Sequence, residues 1–507
     1  MRDKRHFILL ALIAVAGLLL SLFLSSNLSI WLDERYSLVF ATQLNIWELL
    51  YHSKDVHPGA FYVFLKGLLV ITNDLFILRF ILSILPQWVG SIAIVVWAYR
   101  RKFPTSSQVM LATLLFLNPF IIYSTIHLRM YGMVVLCSAL IFVSFFRFLE
   151  KHTMSRFLVL VIAMLCANSV SYSFFFVSAG IALYLFTQSM KSPKEYLGKT
   201  LLFSLVTASW FWVLAGLSVK HIFEAGSWIP LPSFTNIQSL IQTIIGFETN
   251  YFLAPTQLNI FTLVFYSLGA LMLGYLWKVR WVFQKYSRIQ EVGLYLVILP
   301  SLFLLSVSIL FPILSQRFFF YQFIPKLSVF LPRVFLPIVI FSSVLVAELL
   351  PKLFSQRSSL YQKNILSLIG SIVVIGWTMS YLGIYSSLRT MNIEEQQSQA
   401  LVTDINSLVQ QPIFVLPSWI WLREVHSSDL PHINAVVSKL NESKAQENLL
   451  TSGTAACAQL QMGTYVFVKD EIALTIDSYY EQAASVLDRC CTPLSSTSSV
   501  RYWSCKN

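Results

Sequence analysis

Apolar runs long enough to cross a bilayer recur along this chain, and no other feature narrows its fold as much. The first extends from Phe7 to Leu24, and later ones occupy residues 80–99, 107–123, 131–147, 156–170, 173–188, 200–218, 259–277, 292–311, 333–350 and 364–384. A transmembrane helix needs about 20 mostly apolar residues. Barrel strands would instead appear as segments of about 10 residues with alternating polarity, a pattern this sequence does not show. Composition agrees, because the chain is 56% hydrophobic and only 12% charged, against about 25% charged in soluble domains. The sequence therefore reads as an α-helical polytopic membrane protein.

The net charge of +12 invites a nucleic-acid reading. The positions of the cations argue otherwise. Most lie in short loops between apolar runs, where Lys and Arg set topology. Arg2, Lys4 and Arg5 precede the first run, placing the N-terminus in the cytoplasm, and no A-x-A cleavage site follows, so the first helix is expected to be retained. Five further clusters are Arg100–Arg101–Lys102, Arg147/Lys151/Arg156, Lys191/Lys194/Lys199, Lys278/Arg280/Lys285/Arg288 and Lys352/Arg357/Lys363. Simple alternation of the spans puts all five on one side, the cytoplasmic one.

One segment conflicts with that alternation. Residues 58–72, PGAFYVFLKGLLVIT, are apolar, and counting them as a span flips every later cluster. The segment is short and carries Lys66 in its middle, which costs about 2.5–3.5 kcal/mol at a bilayer centre. It is expected to lie in the outer interface instead. About eleven spans follow, with the N-terminus inside and the C-terminus outside. Residues 25–79 form a long external loop, and the loop 219–258 is external too.

Domain boundaries fall at a composition change. Residues 1–388 are the membrane domain, and residues 389–507 turn polar and rich in Ser and Gln. The runs PIFVLPSW and TYVFVKD read as strands and LTIDSYYEQAASVLD as an amphipathic helix. The tail is expected to be a small extracytoplasmic α/β domain of roughly 115 residues. Cys457, Cys490, Cys491 and Cys505 all lie there, which suggests disulfides formed in an oxidising compartment, whereas Cys137 and Cys166 sit in apolar runs as packing residues. No C-x-x-C is present, which argues against a zinc site.

Three external stretches gather the chemistry. WLDERYSLVF places Asp33, Glu34, Arg35 and Tyr36 side by side just past the first span. YHSKDVHPGAFY follows, with His52, Lys54, Asp55 and His57. NPFIIYSTIHLRMYGM brings His127, Arg129 and Tyr131 to the same side. A pair of acids in a loop is often simply solvated. Acids, histidines and an arginine converging on one membrane face point to a site.

These stretches resemble the GT-C glycosyltransferases that use polyprenyl-phosphate sugars, a group that includes the protein O-mannosyltransferases and lipid A aminoarabinose transferases. The family opens its first external loop with Asp-Glu, often followed by Arg-Tyr, matched here by Asp33–Glu34–Arg35–Tyr36. A His-Pro-Pro-like motif beginning an interfacial helix is matched by His57–Pro58, with Gly59 in place of the second proline. The family's stretch around Arg-Met-Tyr is matched by Ser124 and Arg129–Met130–Tyr131–Gly132, and its late Arg-x-x-x-Pro motif by Arg333 to Pro337. Order and spacing agree over residues 1–350.

The resemblance implies a GT-C fold and transfer of a sugar from a polyprenyl-phosphate donor to an extracytoplasmic lipid, glycan or protein acceptor. Asp33 would be the base or acceptor-orienting carboxylate, with Glu34 orienting the loop or sharing that work. Arg35, Tyr36, His57, Arg129 and Tyr131 would contact substrates. Arg333, with Arg317 and Lys326 as alternatives, would hold the lipid phosphate, since a guanidinium offers a planar fork to phosphate oxygens. His221, Trp228 and Glu248 are further candidates in the loop that covers the site in relatives. A divalent metal ion is left open, because some relatives bind one and the O-mannosyltransferases resemble metal-free enzymes. A short basic N-terminus on a single chain fits a bacterial inner membrane. The rival reading is a transporter or flippase for lipid-linked glycans, which would place ionisable groups near the bilayer midplane. A third is a non-enzymatic membrane assembly factor on the same scaffold.

Overall fold

The computed structural model describes residues 4–51, 57–225, 293–298, 300, 336–355, 371, 373–385, 413–416, 463–468, 485–496 and 500–505. Among them, six helices are long and apolar enough to cross a membrane: Lys4–Ser26, Leu75–Arg100, Thr105–Thr125, Tyr131–Glu150, Phe174–Lys191 and Pro193–Leu214. Shorter apolar helices cover Ala60–Leu69, Met154–Val170, Leu336–Glu348 and Val373–Tyr385. The protein is thus mostly α-helical, with several helices long enough to span a membrane, consistent with a polytopic membrane protein. The expected spans at 259–277 and over most of 292–311 lie outside the described residues.

The helices are α1 (Lys4–Ser26), α2 (Leu32–Gln43), α3 (Ile46–Tyr51), α4 (Ala60–Leu69), α5 (Leu75–Arg79), α6 (Leu85–Arg100), α7 (Thr105–Phe116), α8 (Pro119–Thr125), α9 (Tyr131–Glu150), α10 (Met154–Val170), α11 (Phe174–Lys191) and α12 (Pro193–Ala225). Two more are α13 (Leu336–Ser355) and α14 (Val373–Tyr385). A π-helical turn, Phe80–Ile84, joins α5 to α6 without a break. The chain groups into two compact units. The first comprises Met1–Ser26, Ile46–Phe64 and Arg79–Ser386; the second comprises Asn27–Asn45, Leu65–Leu78 and Ser387–Asn507.

In the first unit, the short turns between α6 and α7, α9 and α10, and α11 and α12 fold successive long helices back on one another. Cross-chain hydrogen bonds fix its two ends. At one end, His6 at the start of α1 meets the Gln108 side chain at 3.0 Å, and Gln108 in turn donates to the Phe103 carbonyl. The same end carries Arg101 and Arg156 ion-paired to Glu150, and a Tyr196–His152 hydrogen bond of 2.9 Å. At the other end, the Ser25 hydroxyl donates to the Ile126 carbonyl at 3.4 Å. Between them lies an aromatic and aliphatic core in which Trp97 packs against Phe142 and Phe146, with ring centroids 4.7 and 5.0 Å away.

The span expected at 107–123 is interrupted. α7 stops at Phe116, the Asn118 side chain accepts from the Phe120 amide at 2.9 Å, and Pro119 opens α8. An Asn cap followed by proline is a helix start, so the run makes two helices in tandem. The freed Leu117 carbonyl accepts from the Tyr381 hydroxyl on α14 at 2.8 Å.

The second unit holds α2, the stretch Leu65–Leu78 with the second half of α4, and the tail. α4 is ten residues, about 15 Å at 1.5 Å per residue, too short to cross. Lys66 donates to the carbonyls of Ala41 and Thr42 at 2.9 and 3.4 Å, so its charge closes the C-terminus of α2, where cations are favoured. The tail contains a four-stranded mixed sheet in the order β1-β2-β4-β3, with β1 Ile413–Leu416, β2 Gly463–Val468, β3 Thr492–Ser496 and β4 Val500–Cys505. β1 runs parallel to β2, and β4 pairs antiparallel with both β2 and β3. A register shift falls between Pro493 and Ser495 in β3, an edge strand where proline and a bulge are tolerated. A Cys491–Cys505 disulfide closes this hairpin, and Cys490 is disulfide-bonded too.

Candidate functional site

The predicted residues fall into two groups, one in each unit. In the second unit, the DERY stretch is the opening of a helix rather than a loop. Trp31 is the extended residue before α2, and Asp33 and Glu34 lie in the first turn. Acids there complement the positive end of the helix dipole. The Glu34 carboxylate reaches back to accept from the Trp31 backbone N–H at 2.9 Å, the acidic half of a capping box, and the side chain is fully buried. Glu34 therefore positions the loop that leads into α2. Asp33 is only half-buried, and its carbonyl accepts from the Ser37 hydroxyl at 2.9 Å. Of the two acids, Asp33 is the more accessible to a substrate. Arg35 is buried, and Tyr36 stacks on Phe40 with centroids 6.3 Å apart.

In the first unit, the structure brings three predicted residues together. α8 ends at Thr125, a bend follows, and α9 starts at Tyr131. The Arg129 N–H donates to the His127 carbonyl at 2.8 Å inside this bend. Arg129 is 5% exposed, and its Nη1 donates to the Tyr62 hydroxyl of α4 at 3.3 Å. The half-buried His57 ring meets the Tyr131 ring edge-on at 6.4 Å. Thus the stretch His57–Tyr62 and the bend at 126–131 form one cluster. Tyr62 was not foreseen; its signal was an aromatic one helical turn beyond the His-Pro motif.

Two glycines make this packing possible. A Cβ on Gly59 would stand 1.8 Å from the Leu49 carbonyl oxygen of α3, and one on Gly132 would stand 1.8 Å from that of Ser83. Backbone atoms cannot yield that far. Any side chain at position 59 would collide with α3. At Gly132, α9 is pressed against the π-helical turn, and the Ser83 hydroxyl donates to the Arg129 carbonyl at 3.0 Å.

Arg79 was also missed by sequence reasoning. It is 2% exposed, and its Nη1 donates to the Ser25 carbonyl at 3.1 Å. The signal was a lone arginine inside the run LFILRFILSIL, since ionisable groups within membrane segments are costly and mark function. Arg317, Lys326, Arg333, His52, Lys54, Asp55, Trp228 and Glu248 lie outside the described residues, and so does the side chain of His221. Among the described residues, no three His, Cys, Asp or Glu side chains are grouped to hold a metal ion.

No family model and no curated protein matches this chain.

Proposed function

We propose that the protein is an inverting GT-C-type glycosyltransferase that takes a sugar from a polyprenyl-phosphate donor and passes it to an acceptor hydroxyl on the extracytoplasmic side. The observation that carries this reading is the buried bend at 126–131. It fixes a guanidinium at the end of the bundle opposite the basic loops, with a histidine and two tyrosines around it. With the basic loops in the cytoplasm, that cluster faces outward, where the donor sugar is displayed.

In the reaction, Asp33 accepts the proton of the acceptor hydroxyl. The hydroxyl oxygen attacks the anomeric carbon from the side opposite the phosphate. The carbon–oxygen bond to the phosphate breaks, and polyprenyl phosphate leaves with the electron pair. Positive charge on the departing phosphate lowers the barrier, an effect worth several kcal/mol in a water-poor site. Glu34 holds the first turn of α2 that presents Asp33. His57 and Tyr131 offer an edge-on aromatic wall suited to a sugar or acceptor, and the C-terminal sheet is a recognition or shielding module.

The test is transfer by purified protein from a panel of radiolabelled polyprenyl-phosphate sugars, comparing wild type with Asp33→Asn. Label should leave the lipid with wild type and stay on it with the variant at equal expression. No release from any donor by wild type, together with movement of lipid-linked glycan across a vesicle membrane, would establish the flippase reading instead.

A further inference from the structure

The basic end of the first unit carries far more positive than negative charge. Among the described residues, its exposed acids are Glu150 and Glu195, and Glu150 is already shared by Arg101 and Arg156. Lys102, Lys151, Lys191 and Lys194 are exposed and pair with no carboxylate among the described residues. They come from the three places where successive helices turn back, between α6 and α7, α9 and α10, and α11 and α12. The charge therefore lines a rim rather than a single loop.

The positive-inside bias accounts for the sign of these residues. It does not account for the backbone at Lys102. This residue sits at φ 57°, in the left-handed region where glycine is the ordinary choice at a helix end. Its N–H donates to the Tyr99 carbonyl at 3.0 Å, and the Phe103 N–H donates to the Ala98 carbonyl at 3.1 Å. The position closes α6 as a glycine would, yet it carries an exposed cation.

Apolar surface begins directly beside the cations. On α12, which opens next to Lys194, Leu197, Leu201 and Leu205 are 48%, 62% and 67% exposed and follow one another at helical spacing. On α10, Leu158, Val159 and Ile162 are exposed in the turns after Arg156. A phospholipid presents the same order of chemistry, an acyl chain and then a charged phosphate. The rim thus lies at the headgroup height of the leaflet that it faces.

We propose that this rim binds anionic phospholipids of the cytoplasmic leaflet, with their phosphates drawn to the lysines and their acyl chains on the exposed faces of α10 and α12. The occupant is a lipid of net negative charge, not a zwitterionic one. Recognition is by charge rather than by shape, because lysine is a point charge on a flexible stem. Each cation near an anionic leaflet is worth about fivefold in partition. The surface is separate from the cluster around Arg129, which lies at the opposite end of the bundle.

The experiment places full-length protein in phosphatidylcholine vesicles with spin-labelled phosphatidylglycerol or spin-labelled phosphatidylcholine and reads the motionally restricted fraction of each label. Three proteins are compared: wild type, the triple variant Lys102→Gln/Lys151→Gln/Lys194→Gln, and the same three positions changed to Arg. Wild type should favour phosphatidylglycerol at least about twofold over its whole lipid boundary, where the rim is averaged with neutral contacts. The Gln variant should lose most of that preference and the Arg variant should keep it. No preference in wild type, or full preference in the Gln variant, would overturn the proposal. Loss in a well-folded Arg variant would overturn recognition by charge. A salt titration needs no variant: the wild-type preference should fall toward unity at about 1 M salt, where the screening length is about 3 Å. A preference unmoved by salt would overturn the proposal even if the Gln variant fails to fold.

Discussion

The two ends of the helical bundle use arginine in opposite ways. At the basic end, Arg101 and Arg156 share Glu150 on the surface, with a third or more of each of the Arg101 and Glu150 side chains exposed. Lys199 lies 5.7 Å from the Phe148 and Tyr196 ring centroids. Water carries most of the cost of these charges, and each contact is worth about 1 kcal/mol or less. At the other end, Arg79 and Arg129 are buried and tied to carbonyls, a tyrosine hydroxyl and a π-turn. A charge held there has to be repaid by specific partners. The basic end therefore tolerates exchange of its cations, and the opposite end does not.

The sharpest way to break this comparison is Gly132→Leu. The side chain would drive into the Ser83 carbonyl, and overpacking against backbone costs about 3 kcal/mol or more. The expected outcome is little folded protein, measured by size-exclusion recovery and thermal midpoint; a normal midpoint would mean the α9 contact is looser than described. Next comes Tyr62→Phe, which removes the hydroxyl that accepts from Arg129. A hydrogen bond to a charged group is worth about 1.5–3 kcal/mol, so transfer should fall roughly ten- to hundredfold with far less change in yield. An unchanged rate would leave Arg129 held by other contacts. The smallest effect belongs to the basic end. Glu150→Gln should shift stability by less than about 1 kcal/mol and leave transfer intact, as read by thermal unfolding in nanodiscs; a large loss would erase the contrast between the ends.

How far the sequence carried this picture depended on which force was at work. The spans were legible because lipid demands long apolar helices, and Lys66 was enough to keep residues 58–72 from being read as a crossing. The structure adds that Lys66 caps α2, a contact that composition does not encode. The break at Leu117 was hidden inside an apolar run, although Asn118–Pro119 spelled it. In the tail, IFVL and TYVFV announced strands by their β-branched and aromatic residues. TPLSS and VRYWSC did not, because Pro, Ser and Arg mark edges and turns; pairing and the Cys491–Cys505 bridge make them strands. At the site, the DERY acids were visible as a cluster. Burial and the Trp31 amide, which turns Glu34 toward the backbone, set the two acids apart only in the structure. Arg79 escaped because a run of apolar neighbours reads as a span boundary, and only burial distinguishes an arginine held inside the bundle from one that snorkels to the surface.

The most direct measurement is the transfer rate of Arg129→Lys set against Arg101→Lys in one assay, each with its thermal midpoint. Both substitutions keep the charge and change only the fork. The account predicts a fall of at least about tenfold for Arg129→Lys, where geometry matters, and a wild-type rate for Arg101→Lys. Equal rates for the two variants would contradict it and move the working end of the bundle elsewhere.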